Sequence, residues 1–320
     1  MKNKYYFGVD LGGTVTKIGL VDTKSNVFEK ITFSTFTYNS KQKLLHHIVK
    51  NINEILQKDS KRKRLVGGIG LGVAGLVNFK NGLIYKLTNI PGWKNVRIAK
   101  ILKEKTGLPV LVDNDVNVVT LAEFIFGAGR GARNMICLTL GTGVGGGLII
   151  EGKLFRGSSY SVGEIGHFPL NADGPRCNCG SYGCLERYIG NRYFVSRVLE
   201  KMKMTGKGNK ILKLASGKFS EINPKIIAQA AQGGDSLARE SWCEFAMDLG
   251  IVLAGLINFL NPDVVVIGGG MAEAGKHLFE PLRKVVKKFT LRIPGDTVKI
   301  RKAQLKDENG IIGAASLFFS

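Results

Sequence analysis

The chain has 320 residues, with 46 Lys and Arg against 25 Asp and Glu and a formal charge of +21. That length permits two domains with separate cores. No run of roughly 18 or more apolar residues is present, so no membrane span is expected. The N-terminal MKNKYYFGVD enters a strand pattern directly, without a signal-peptide apolar region. A cytoplasmic protein is therefore expected, with its five cysteines buried or bound to metal rather than paired. The lysines are spread along the chain. Two denser clusters, Lys61-Arg62-Lys63-Arg64 and Lys201 to Lys213, lack the interleaved aromatics of a base-stacking platform. The charge is read as a Lys-rich surface, with a polyanionic partner as the alternative.

Residues 5–22, YYFGVDLGGTVTKIGLVD, predict two strands joined by a Gly-Gly turn. The second half resumes as a strand, which argues against a Walker loop or a Rossmann fingerprint, since both need a helix after the glycines. A third strand is expected over 27–35. Over 41–58, Leu44, Leu45, Ile48, Ile52, Ile55 and Leu56 recur at helical spacing. A buried strand follows at 65–73, a helix at 98–105, a strand at 110–112 and a helix at about 118–126. The opening pattern then recurs in MICLTLGTGVGGGLII, residues 135–150. Helices are expected at about 185–204, 224–232, 235–260 and 274–289, strands at 263–267 and 297–303, and a small-residue helix at 310–319. One design thus occurs twice, which implies two related α/β lobes with a cleft between them. Ligands of such folds sit beyond the carboxyl ends of strands.

Between the second hairpin and the later helices lies GEIGHFPLNADGPRCNCGSYGCLE, residues 163–186. His167, Cys177, Cys179 and Cys184 can close a tetrahedral zinc site. Four protein ligands fill the shell, so the metal would be structural and leave no place for an activated water. Glu164 and Glu186 flank this knot and would face whatever it presents. Asp10, Gly12, Gly13 and Thr14, with Lys17 beyond, offer a phosphate cradle, and Thr142-Gly143 in the second hairpin a matching one. Asp10 could hold Mg²⁺ through water. The triple glycine after VVVI, led by Gly268 and Gly269, suits a close approach to an adenosine moiety. Asn114-Asp115 sits where a strand gives way to a helix. A carboxylate there can accept a proton from an attacking hydroxyl, although Asn and Asp also favour a plain helix N-cap, and Asp113 competes for either role.

Together, DLGGT-x-x-K, LVDNDVN, LTLGTGVGGG, GEIGH and CNCGSYGCLE resemble the ROK family of repressors and sugar kinases, in the family's order and through essentially the whole chain. The resemblance implies an actin-like ATPase (ribonuclease H-like) fold with two lobes, an interlobe cleft for ATP with Mg²⁺, and a structural zinc. The expected division is a small lobe at 1–117, joined by the C-terminal helix at 305–320, and a large lobe at 118–304. The resemblance makes Asp115 the catalytic base. It places Gly75, Asn114, Glu164, His167 and Glu186 on the sugar, with His167 also on zinc. Gly12, Gly13, Thr14, Thr142 and Gly143 would hold phosphates, and Gly268 and Gly269 the adenosine side. TNIPGWKNV before LVDNDVN looks most like the bacterial glucokinases. Ala74 departs from the proline that many members carry in GVAG.

The resulting expectation is an ATP-dependent kinase converting glucose to glucose 6-phosphate. Its alternatives are N-acetylmannosamine, fructose or mannose as acceptor, polyphosphate as donor, or a non-catalytic sugar-responsive regulator. The first strand begins at about residue 4, which leaves no room for a helix-turn-helix and disfavours specific nucleic-acid binding. The family's habit suggests a homodimer or homotetramer.

Overall fold

The structure, a computed structural model, describes residues 4–38, 40–58, 60–87, 90 and 92–319. Of the glucokinase-like TNIPGWKNV, Thr88, Asn89 and Pro91 lie outside the described residues. In chain order the elements are β1 (Tyr5–Leu11), β2 (Val15–Asp22), β3 (Val27–Ser34), α1 (Lys41–Lys58), α2 (Ser60–Lys63), β4 (Val66–Val73), β5 (Gly75–Asn78), β6 (Leu83–Leu87), β7 (Lys94–Arg97), α3 (Ile98–Thr106), β8 (Val110–Asn114) and α4 (Asp115–Ile125). Then come β9 (Met135–Leu140), β10 (Val144–Ile150), β11 (Lys153–Phe155), α5 (Glu186–Ile189), α6 (Asn191–Thr205), α7 (Asn209–Leu214), α8 (Pro224–Gln232), α9 (Ser236–Leu260), β12 (Val264–Gly268), α10 (Lys276–Phe289), α11 (Arg292–Thr297), β13 (Lys299–Lys302) and α12 (Asn309–Ser316).

The chain divides into two compact units. The first is 1–131 with 147–162 and 303–320; the second is 132–146 with 163–302. The boundary thus falls beyond α4, later than the expected residue 117. The reason is packing: Val118, Leu121, Ala314 and Leu317 share one buried cluster, which keeps α4 with α12.

In the first unit a five-stranded mixed sheet runs β3-β2-β1-β4-β8. A Gly-Gly turn makes β1–β2 antiparallel and a turn over residues 23–26, closed by the Asp22 carboxylate, makes β2–β3 antiparallel, while β4 and β8 join parallel. One face is covered by α1, whose Leu44, Ile48 and Ile52 are wholly buried at four-residue spacing. The other face receives α12. A Cβ on Gly8 or Gly70 would collide with the α12 backbone at Ile311 or Ala314, and one on Gly313 with Val118 of α4. Backbone meets backbone there, so only glycine fits. The small sheet β5-β6-β7 has no counterpart in the sequence reading, because strands of four or five residues broken by Asn and Lys carry no clear two-residue alternation.

In the second unit β9, β12 and β13 run parallel. The distal half of β10 belongs to the first unit, where Leu148 to Ile150 pair with β11. The core is built around α9, with Trp242 and Phe245 packed against Phe194 at ring-centroid distances of 4.7 and 5.3 Å. By length and composition α9 could cross a membrane, a possibility the count of apolar runs missed. Its Leu249, Leu253 and Ile257 are nevertheless wholly buried among neighbouring helices, as in a core helix. The expected helix at 185–204 is two helices, because Gly190 is extended (φ −60°, ψ 143°). The expected strand at 297–303 is shorter and preceded by α11, whose Pro294 suits a first turn.

Candidate active site and metal centre

In the first unit the carboxyl ends of β1 and β8 carry the predicted groups. Gly12 N–H donates to Val15 O at 3.1 Å, so it closes the turn. Thr35 Oγ1 donates to Gly12 O at 2.8 Å and pairs with buried Thr16 at 2.8 Å. These bonds fix Gly13 and Thr14 at the turn's tip. Asp10 lies opposite Lys17 across the β1–β2 ladder. Burial raises its carboxyl above the ordinary value, and the nearby Lys17 charge only partly offsets this. A Cβ on Gly310 would collide with that carboxylate. Lys17 Nζ donates to Asp307 O at 3.0 Å.

The DNDV turn assigns three roles to three neighbours. Asp113 is 3% exposed. It accepts from Arg156 Nε at 2.7 Å, Asn117 Nδ2 at 2.8 Å and Asn114 N at 2.8 Å. It is a structural anchor and no longer competes for the base. Asn114 is the N-cap of α4, accepting from Val116 N and Asn117 N at 2.8 and 3.3 Å. The helix therefore starts at Asp115, three residues earlier than the periodicity indicates. Asn114 Nδ2 donates to Gly75 O at 3.3 Å, which joins two predicted sugar-pocket residues. Asp115 stands half-buried in the first turn of α4, where the helix dipole favours its charge. Arg156, stacked on Phe79 at 3.7 Å, was missed by the sequence reading, because 43 residues separate it from Asp113.

In the second unit His167, Cys177, Cys179 and Cys184 meet, with all four ligand atoms within 4.8 Å of one another. Cys177 Sγ is 3.7 Å from His167 Nδ1, and Cys179 Sγ is 3.6 Å from Cys184 Sγ. A zinc tetrahedron with Zn–S of about 2.3 Å has S–S edges of about 3.8 Å, so the set fits such an ion. Burial and the neighbouring sulfurs push the Cys184 thiol up to about 12, a cost that a bound dication would remove. Glu164 Oε2 lies 4.0 Å from His167 Nε2, where an outer carboxylate orients a ligating imidazole.

The knot also carries the second glycine turn. Glu186 Oε2 accepts from Val144 N at 3.0 Å, and a Cβ on Gly143 would lie 2.7 Å from that oxygen. Asn191 N donates to Gly141 O at 2.9 Å, and Gly166 backs onto Val144 O so closely that a Cβ would collide. Thr142 and Gly143 are thus held from 164–191 on both sides, a link with no local sequence signal.

Of the three glycines after β12, Gly268 pairs with Thr139 of β9. Gly269 (φ +84°) crowds Leu140 so closely that any side chain would collide. Both are spent on holding two strand ends together. Gly270 instead lines a cavity of about 750 Å³, with Lys225, Gln229, Trp242, Glu273 and His277. Trp242 Nε1 and His277 Nε2 are buried without hydrogen-bond partners. Burial, then the Lys276 and Arg239 charges, hold the His277 pKa below its ordinary value.

A profile of the ROK family matches residues 6–320. The chain belongs to the ROK family. It is 35% identical to a glucokinase of Halalkalibacterium halodurans over 99% of this chain and 96% of that protein. It is 32% identical to a xylose repressor of Caldicellulosiruptor bescii over 98% of this chain and 77% of the repressor. Among solved structures, the ROK family glucokinase from Streptomyces griseus in complex with glucose and AMPPNP superposes with a TM-score of 0.82 at 33% identity, covering 98% of both chains. The mixed α/β sheets of this family member are consistent with the actin-like ATPase fold that the resemblance implied.

Proposed function

We propose that this chain is an ATP-dependent sugar kinase whose preferred reaction is glucose to glucose 6-phosphate. The observation that carries the reading is the division of labour in DNDV. Arg156 and Asn117 take up Asp113, Asn114 caps the helix, and Asp115 stands at the helix N-terminus as the base. Asp115 takes the proton of the attacking sugar hydroxyl as the oxygen turns on the γ-phosphorus. Gly75, Asn114, Glu164, His167 and Glu186 bind sugar hydroxyls. Gly12, Gly13, Thr14, Lys17, Thr142 and Gly143 bind phosphates, with Asp10 toward the Mg²⁺ that accompanies ATP. Gly270 and the cavity with Trp242 and His277 suit the nucleoside better than Gly268 and Gly269, and a nucleoside-sized space favours ATP over polyphosphate.

The His167–Cys177–Cys179–Cys184 set is read as a structural zinc site that holds His167 and the knot in place. The glucokinase and the AMPPNP–glucose complex among the relatives support the kinase reading; the repressor relative keeps a regulator as the competing one. We read the enzyme as cytoplasmic. A sugar panel with ATP and polyphosphate as donors tests the substrate assignment. Asp115→Ala should cut turnover at least about a thousandfold while sugar binding and melting temperature stay near those of the parent. Turnover near the parent's would remove Asp115 from the role.

A further inference from the structure

Beside the Cys knot, α5 and the N-terminal part of α6 enclose an open cavity of about 430 Å³. Tyr193, Ser196, Arg197 and Glu200 line it from one face of α6, at three- and four-residue spacing. Arg187 and Tyr188 line it from α5. The Tyr188 hydroxyl packs so closely on Gly174 that a Cβ there would collide, which ties this wall of the cavity to the knot.

Three arginines gather here, and the protein neutralises one of them. Arg197 donates to Asp248 at 2.6 Å, to Glu244 at 3.4 Å and to Tyr188 O at 3.3 Å. Arg187 and Arg192 have no hydrogen bond or ion pair among the described residues. Yet their guanidinium carbons lie 4.0 and 4.5 Å from the centroid of one ring, that of Tyr193. The nearby acids are already engaged, Glu240 and Glu244 with Lys201, and Glu244 and Asp248 with Arg197. Two cations held against one ring repel each other, and an anion between them removes that cost. Arg187 Nε is buried without a partner, so the stacked guanidinium leaves its terminal nitrogens as the donors a ligand can reach.

We propose that this cavity binds a sugar phosphate, in addition to the sugar, phosphate and nucleoside sites described above. A phosphomonoester carries roughly two negative charges at neutral pH and can answer both guanidiniums, whereas a carboxylate answers one. Arginine forks suit phosphate oxygens, and the Ser196 hydroxyl adds a donor. Glu200 lies seven residues beyond Tyr193, about 10 Å along the helix axis, and has no ion pair among the described residues. It repels an anion and accepts from hydroxyls, so it selects a ligand that is charged at one end and hydroxylated at the other. A polyphosphate, anionic along its length, meets Glu200 unfavourably.

The test is calorimetric titration with glucose 6-phosphate and, separately, with inorganic phosphate, each to about 1 mM in roughly 150 mM salt. AMPPNP and glucose are present throughout to occupy the sites assigned to them. The parent should bind one glucose 6-phosphate per chain. Arg187→Met should weaken this at least about tenfold. Ser196→Phe, at an exposed position where the fold tolerates bulk, should fill the cavity and abolish it. Glu200→Ala should weaken glucose 6-phosphate about threefold and leave inorganic phosphate no weaker. Loss of the heat in Arg187→Met and Ser196→Phe, with melting temperatures near the parent's, assigns it to this cavity whatever the natural ligands of the catalytic site are. No binding by the parent, or binding that both variants retain, would overturn the proposal. So would binding of inorganic phosphate without glucose 6-phosphate, which would leave a bare anion seat.

Discussion

Glu186→Ala asks whether the knot serves the nucleotide as well as the sugar. The substitution removes the carboxylate oxygen that accepts from Val144 N at 3.0 Å and leaves the covalent path from Cys184 intact. A charged acceptor on a backbone N–H contributes about 1.5–3 kcal/mol. The half-buried position of Glu186 places the expectation at the lower end. About 1.4 kcal/mol is tenfold in affinity, so AMPPNP binding measured by calorimetry without sugar should weaken about tenfold. Glu186→Gln keeps an acceptor oxygen without the charge and should weaken it only about threefold. If Glu186 acted on sugar hydroxyls alone, nucleotide binding in the absence of sugar would not change. That outcome, with only the sugar KM raised, would refute the coupling.

Metal analysis should find about one zinc per chain, and strong chelators should lower the melting temperature and weaken nucleotide and sugar binding together. Protein purified without metal that melts like the parent would count against the knot's structural role. Arg156→Met strands the carboxylate of Asp113, which is 3% exposed, and should cost about 3 kcal/mol, seen as a fall of roughly 6–10 °C in Tm. A variant melting within 1–2 °C of the parent would show that Asn117 and Asn114 suffice. Asp10 has a folded-state pKa raised by burial. Its stabilising contribution is complete below the ordinary carboxylate range and is lost as pH rises through the raised value. Asp10→Asn should therefore gain Tm over the parent between about pH 4 and 8, with no gain at more acid pH, while activity falls. A pH-independent difference would contradict the sign.

Periodicity and glycine placement made much of the fold legible. Both hairpins, α1, α3, α8 and α9 follow from three-to-four spacing or from a Gly turn between apolar runs. The His/Cys cluster was legible because its three cysteines lie within one tight loop. What escaped was non-local. Arg156 stabilises Asp113, and Glu186 holds Val144, across 43 and 42 residues, and no window of sequence spans such a bond. The start of α4 escaped for a different reason: Asn114 caps the helix before the apolar repeat at Val118 begins. The close approach of Gly269 to the Leu140 backbone also escaped, because in sequence it cannot be told from a close approach to a ligand.

The seating of α12 against Gly8 and Gly70 has a consequence for how the chain is made. Strands β1 and β4 cannot complete their own unit early in synthesis, because the helix that closes their sheet follows the second unit in the chain. Strands β1 and β4 must wait with a backbone-lined groove open while the whole second unit is produced and free to fold, the reverse of the usual N-terminal-first order. A truncation before α12 would not merely trim a tail. It would release a chain with one finished unit and one that never closes, marked for chaperones and proteases by the bare faces of Val21, Val118 and Ala122.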